Sequence, residues 1–97
     1  MPTYLTLYNW TDQGIKVVKE TVTRADQATK AIEQAGGRVL GIYWTQGRYD
    51  LVAIAEWPDE DTAMAFALQL ATVGNVHSET MRAFSRDDMQ RILGKLP

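Results

Sequence analysis

The sequence contains no cysteine and a single histidine, His77. The first count excludes disulfides and thiolate-bound metals. The second excludes a multi-histidine site within one chain, and no metal is expected. No apolar run approaches the roughly 20 residues needed to span a bilayer. The opening Met1-Pro2-Thr3-Tyr4 lacks the charged start and long apolar stretch of a secretory leader. No membrane role is therefore expected, and the cytoplasm is the expected setting. Charge is nearly balanced, with a net −2 and a pI near 5.2, which argues against nucleic acid as a partner. No phosphate loop occurs, and Gly36-Gly37 lacks the spacing of a dinucleotide fingerprint, so no cofactor is expected. What remains is a soluble-type composition, 45% apolar and 23% charged, in 97 residues. That is one domain, 1–97. A chain of this size buries only about two-thirds of its unfolded surface. Small domains are usually supported by disulfides, metals or self-association, and here self-association is the support left open.

Tyr4-Leu5-Thr6-Leu7-Tyr8 alternates Leu5 and Leu7 against Tyr4, Thr6 and Tyr8, the period of a strand. Asn9-Trp10-Thr11-Asp12 is expected to break it and to supply helix-capping oxygens. Ile15, Val18, Val22, Ala25, Ala28, Ile32 and Ala35 then recur every three or four residues, one stripe of a long helix. Thr21 and Thr23 are poor helix formers and mark a place where it can bend or break. Gly36-Gly37 ends it. Val39 to Thr45 reads as a second strand, with Leu40, Ile42 and Trp44 on one face and Val39, Gly41 and Tyr43 on the other. Gln46-Gly47-Arg48-Tyr49 turns the chain, Gly47 being free to take positive φ. Asp50 to Trp57 is the third strand. Both faces of this hairpin are largely apolar, whereas a sheet covered on one side only shows a polar second face. The second face is thus expected to be covered too, most simply by another copy of the chain.

Pro58-Asp59-Glu60-Asp61 opens a second helix. Asp59 is its expected cap, and the acidic run suits the positive end of the helix dipole better than a metal site. Ala63, Phe66, Ala67 and Leu70 form its buried stripe, and Gly74-Asn75 closes it. Val76 to Phe84 is a polar fourth strand. Ser85 caps a last helix with Met89, Ile92, Leu93 and Leu96 as its stripe. The order is βαββαβ plus a C-terminal helix, which predicts an α+β, ferredoxin-like fold with a four-stranded antiparallel sheet.

Gly47, Tyr49 and Asp50 form a Gly-x-Tyr-Asp signature in the hairpin. With Asn9 to Ile15, Gly74-Asn75-Val76 and Arg82-Ala83-Phe84-Ser85, it makes the chain resemble the GYD domain family over nearly its whole length. The resemblance implies a small bacterial or archaeal protein of the dimeric α+β barrel type. It implies no settled activity and carries over no catalytic residue.

Several residues are candidates for a site. Tyr49 and Asp50, at the hairpin turn, offer an acidic group beside an aromatic edge; a similar short hairpin occurs in the amino-acid-binding domains of feast/famine regulators. The competing reading is that Asp50 accepts backbone N–H bonds and fixes the turn. Tyr8, Trp10, Tyr43, Trp44 and Trp57 gather near strand ends, where they either line an apolar cavity or fill core and interface. His77 and Glu79 share a face and can make a base oriented by a carboxylate. Arg82 can hold a ligand carboxylate or, the favoured reading, pair with Asp50 or Glu56 across strands. Two functions follow. The leading one is a homo-oligomeric small-molecule-binding or structural module, with Tyr8, Trp44, Tyr49, Asp50 and Arg82 as ligand contacts. The alternative is a cofactor-independent, monooxygenase-like enzyme acting on a small aromatic or quinone-like substrate through Tyr8, Trp44 and His77.

Overall fold

A computed structural model describes all residues from Met1 to Pro97. Strand β1 (Thr3–Trp10) leads into a short helix α1 (Asp12–Lys16) and a 3-10 turn at Val18–Glu20. Helix α2 (Thr21–Gln34), strands β2 (Arg38–Trp44) and β3 (Leu51–Glu56), helix α3 (Glu60–Val73), strand β4 (Val76–Ala83) and helix α4 (Arg86–Leu93) follow. The sheet runs β2-β3-β1-β4 with every neighbouring pair antiparallel. This is the ferredoxin-like arrangement the element order predicts.

The caps expected from the sequence are in place. Asp59 accepts the Thr62 N–H at 2.7 Å, and Ser85 forms a reciprocal capping box with Asp88. Gly74 closes α3 in the left-handed conformation, at φ 85°, and Gly36 and Gly47 also take positive φ.

Three local expectations are corrected. First, Asn9 and Trp10 do not break β1. They continue it, because β4 offers partners as far as His77 and Val76 and the Asp50 carboxylate takes the Trp10 N–H at 2.9 Å. Second, the long helix is interrupted at Val17–Glu20, just before Thr21. The break falls where Thr21 and Thr23 mark it, but the 3-10 turn also shifts the helical phase, so Ile15 and Val22 of the expected stripe are exposed while Val18 keeps its inward place and Thr21 joins it. Third, β2 carries a bulge at Leu40, between Val39 opposite Ala55 and Gly41 opposite Ile54. One extra residue reverses the alternation. Val39 therefore shares a face with Ile42 and Trp44, and Leu40 stands out at the strand margin.

Helices α2 and α3 lie on one face of the sheet, above Tyr4, Thr6, Tyr8, Val39, Ala53 and Ala55. Only Gly14, Ile32, Ala55 and Trp57 are buried. Around Ile32, Ala55 and Trp57 pack Tyr4, Val39, Ala63 and Phe66, with the Trp57 and Phe66 rings 5.1 Å apart. The other face carries no helix. Strand pairing places Leu5, Leu7, Val52, Ile54, Gly41, Tyr43 and Met81 on it. Tyr43 leans back across Gly41, where even a Cβ would come within 2.7 Å of the ring.

Candidate functional site

The middle of the helix-covered face is lined by small side chains, Thr6, Ala53 and Ala55. Helix α2 packs over β2 and α3 over β4, so the central strands lie under the gap between them. The gap is a cavity of about 120 Å³. Tyr8, Ile42, Leu51 and Ala53 form its floor, and Val18, Ala25, Ala28, Ile32, Phe66 and Leu70 its walls. Its polar lining is confined to Tyr8, Thr21, Arg24 and Asn75, along with the backbone of Gly14. Burial removes water from the Tyr8 phenol and raises its pKa above the ordinary value. Arg24 stands near Glu20 at 3.7 Å, both of them solvent-exposed, a contact worth little in water.

The end of this cavity is closed by a joint between two turns. Thr11 N–H donates to the Asn75 carbonyl at 3.1 Å, and the Thr11 hydroxyl donates to Gly74 O at 2.6 Å. Gln13 Nε2 donates to Val73 O and Asn75 Oδ1 at 3.0 and 2.9 Å. Gly14 is buried in the joint because its α-carbon lies against the Asn75 backbone.

Of the ligand-contact candidates, only Tyr8 lines the cavity. Trp44 lies at the sheet margin and donates its indole N–H to Thr21 Oγ1 at 3.0 Å, tying β2 to the start of α2. Asp50 works as a backbone acceptor. Its carboxylate bonds the Trp10 N–H, its own N–H donates to Tyr8 O at 2.8 Å, and its carbonyl accepts from Thr45. Tyr49 reaches past β1 and donates its hydroxyl to Glu79 on β4 at 2.8 Å. That bond to a carboxylate raises the Tyr49 pKa above its ordinary value. Arg82 pairs with neither Asp50 nor Glu56. It donates to the carbonyls of Thr3 and Ala83 and stacks over Phe84 and Tyr4, while Glu56 is held by Arg38 at 2.7 Å. The reason is reach: Arg82 projects on the helix side and Glu56 on the open side of the sheet.

His77 and Glu79 share the open face, as their spacing requires, but Glu79 is engaged by Tyr49. His77 therefore faces away from Tyr8 and Trp44, and the three residues of the enzymatic alternative are split between two faces. Val18 is on the wall, as its place in the apolar stripe predicts, and Val17 and Thr21 join it outside that stripe. Their signal was the poor helix formers near Thr21, which mark where the phase changes.

Residues 4–93 match the GYD domain. The chain belongs to the GYD domain family. Within this GYD domain, Gly47 supplies positive φ, Asp50 ties the hairpin to β1, and Tyr49 ties it to β4. The signature thus joins all four strands at one end of the sheet. The chain is also 31% identical over 90 residues to a protein of Thermus thermophilus named "Glutamine synthetase and cystathionine beta-lyase binding protein". The match covers 92% of this chain and 95% of that protein.

Proposed function

We propose that this GYD domain is a homo-oligomeric binding module that engages other proteins, in the cytoplasmic setting expected of its sequence. The observation that carries the reading is the open sheet face. An antiparallel sheet that meets water presents polar side chains on that side. Here Leu5, Leu7, Val52 and Ile54 occupy its centre, with Tyr43 and Met81 exposed beside them. Such a surface marks a protein interface. A second copy covers it in this reading, and the assembled oligomer presents its outer surface to further proteins. The name of the Thermus relative supports metabolic enzymes as that class of partner.

The test uses the purified chain, sedimentation analysis and immobilised glutamine synthetase and cystathionine β-lyase. An oligomer that binds either enzyme saturably supports the reading. A monomer that binds neither overturns it.

The cavity favours a second reading within the same class, a small apolar ligand held between α2 and the sheet. Floor and walls are apolar, the pattern of small-molecule sites. Native mass spectrometry of the chain purified without added ligand would show extra bound mass. The enzymatic alternative draws no support from the geometry, because Tyr8, Trp44 and His77 do not converge.

A further inference from the structure

Helix α4 leaves most of its apolar side chains uncovered. None of its residues is buried. Met89 and Leu93 on its apolar side, and Leu96 just past its end, are 43%, 51% and 66% exposed, and Ile92 beside them is half-buried. Yet the helix is well built. Ser85 Oγ accepts the Asp88 N–H at 3.0 Å, and the Asp88 carboxylate accepts the Ser85 N–H at 2.9 Å. An isolated helix shorter than about 12–15 residues is marginal in water. Capping alone does not hold eight residues, so a surface outside the chain must.

The overall shape agrees. The radius of gyration is 14.7 Å, against about 12.5 Å for a compact chain of this length. The surface is 6889 Å², against about 5600 Å² for a folded monomeric protein of this mass. The excess, about 1300 Å², exceeds the roughly 800 Å² per partner of a standard stable interface. A body with four buried residues needs that cover whenever it is folded. The partner present at matching concentration whenever the chain is made is a second copy.

Register then says where the helix falls. Ala83 lies opposite Thr3, Thr3 opposite Glu56, and Glu56 opposite Arg38. The end of β4 and the start of β2 are therefore at the same end of the sheet, on opposite margins. A two-fold axis parallel to the strands, between two stacked open faces, lays β4 of one copy over β2 of the other. Only Phe84 and Ser85 separate β4 from α4, so the helix arrives beside the partner's Leu40, the bulged residue, 47% exposed.

We propose that α4 and the residues just after it are a reciprocal clasp, packing Met89, Leu93 and Leu96 on a second copy of the chain at the Leu40 margin. The proposal rests on the homo-oligomer reading. The chain has no thiol of its own, so one full-length chain carrying Leu93→Cys is mixed with a tagged one carrying Leu40→Cys and treated with a short bis-maleimide. The control replaces Leu40→Cys with Lys30→Cys, on the exposed side of α2. Crosslinking between copies at the Leu40 position and not at the control is expected. The double variant Met89→Glu, Leu93→Glu is expected to weaken the oligomer at least tenfold in sedimentation analysis, with the sheet signal in circular dichroism kept and only the helical contribution of α4 reduced. An oligomer within twofold of the parent, or no selective crosslink, overturns the clasp. Val52→Lys separates the two ideas: an oligomer lost with Val52→Lys but indifferent to the α4 variant removes the clasp and keeps the open-face interface. A parent chain that is monomeric throughout removes both.

Discussion

Replacing Gly14 with alanine places two principles in direct opposition. Gly14 is inside α1, where alanine is favoured by about 1 kcal/mol on helix propensity. The structure demands the reverse. A Cβ at Gly14 would lie 1.9 Å from the Asn75 carbonyl oxygen and 2.9 Å from its carbon. Those are backbone atoms, with no rotamer to change. Restoring an ordinary contact of 3.4 Å requires α1 to retreat by about 1.5 Å. That movement breaks the Thr11 bonds to Asn75 and Gly74, at 3.1 and 2.6 Å, each worth about 1 kcal/mol. Overpacking adds roughly 1–3 kcal/mol. After the propensity gain, Gly14→Ala should cost about 2–4 kcal/mol, which lowers the melting temperature by roughly 10–25 °C in a domain of this size. Thermal melts and urea titrations followed by circular dichroism measure it. Gly47→Ala is the internal control: its φ of 117° is strained for alanine, but no atom lies within 4 Å of the added carbon, so about 1–2 kcal/mol is expected. A Gly14→Ala variant as stable as the parent, or no worse than Gly47→Ala, would show that the joint between the two turns yields freely and that the reasoning is wrong.

Other expectations are as direct. Asp50→Ala leaves the Trp10 N–H without its acceptor and should destabilise the fold by about 1–2 kcal/mol, whereas Asp50→Asn, which keeps an acceptor oxygen, should recover most of the loss in urea titrations. The N–H bonds from Thr62 and Ser85 hold the Asp59 and Asp88 carboxylates below their ordinary pKa. The unfolded chain therefore binds those protons more readily, so their contribution is complete above about pH 4 and is lost as pH falls through the lowered folded values. Melting temperature measured from pH 7 down to pH 2 should show this acid limb, and Asp59→Asn with Asp88→Asn should flatten it. Ala28→Leu, filling the cavity beside Ile32, should raise stability by about 1 kcal/mol and abolish any extra mass seen by native mass spectrometry; retention of that mass would place the ligand elsewhere.

Element order, caps and the open face were legible because each rests on neighbouring residues. Asp59 and Ser85 cap the helices that begin beside them, Gly74 ends the helix that reaches it, and alternation along Leu51 to Trp57 assigns two faces. What escaped depends on residues far apart in the chain. The partner of Asp50 is Trp10, forty positions away, and no local pattern announces it. The burial of Gly14 is decided by Asn75. The bulge at Leu40 shifts a single residue, so period-two reading assigned Val39 and Leu40 to each other's places. The candidate site suffered most. Residue type groups Tyr8, Trp44, Tyr49, Asp50 and Arg82, but their strand positions spread them over the sheet, Trp44 at the margin against Thr21, Tyr49 on Glu79 and Arg82 beside Phe84. Only Tyr8 reaches the cavity, whose walls are apolar residues such as Val18, Ala28, Ile32 and Leu70 that carry no chemical signal of their own.

The bulge at Leu40 also limits how these sheets can grow. An unpaired outer strand is a template on which another chain can add, and repeated addition makes fibres. This sheet has two outer strands, β2 and β4. The bulge interrupts the regular row of donors and acceptors along β2, which spoils that side as a template. β4 remains as one regular margin of eight residues. A sheet with a single usable margin can join one other through it, margin to margin, and then has none left. Growth by strand addition is thereby limited to a pair.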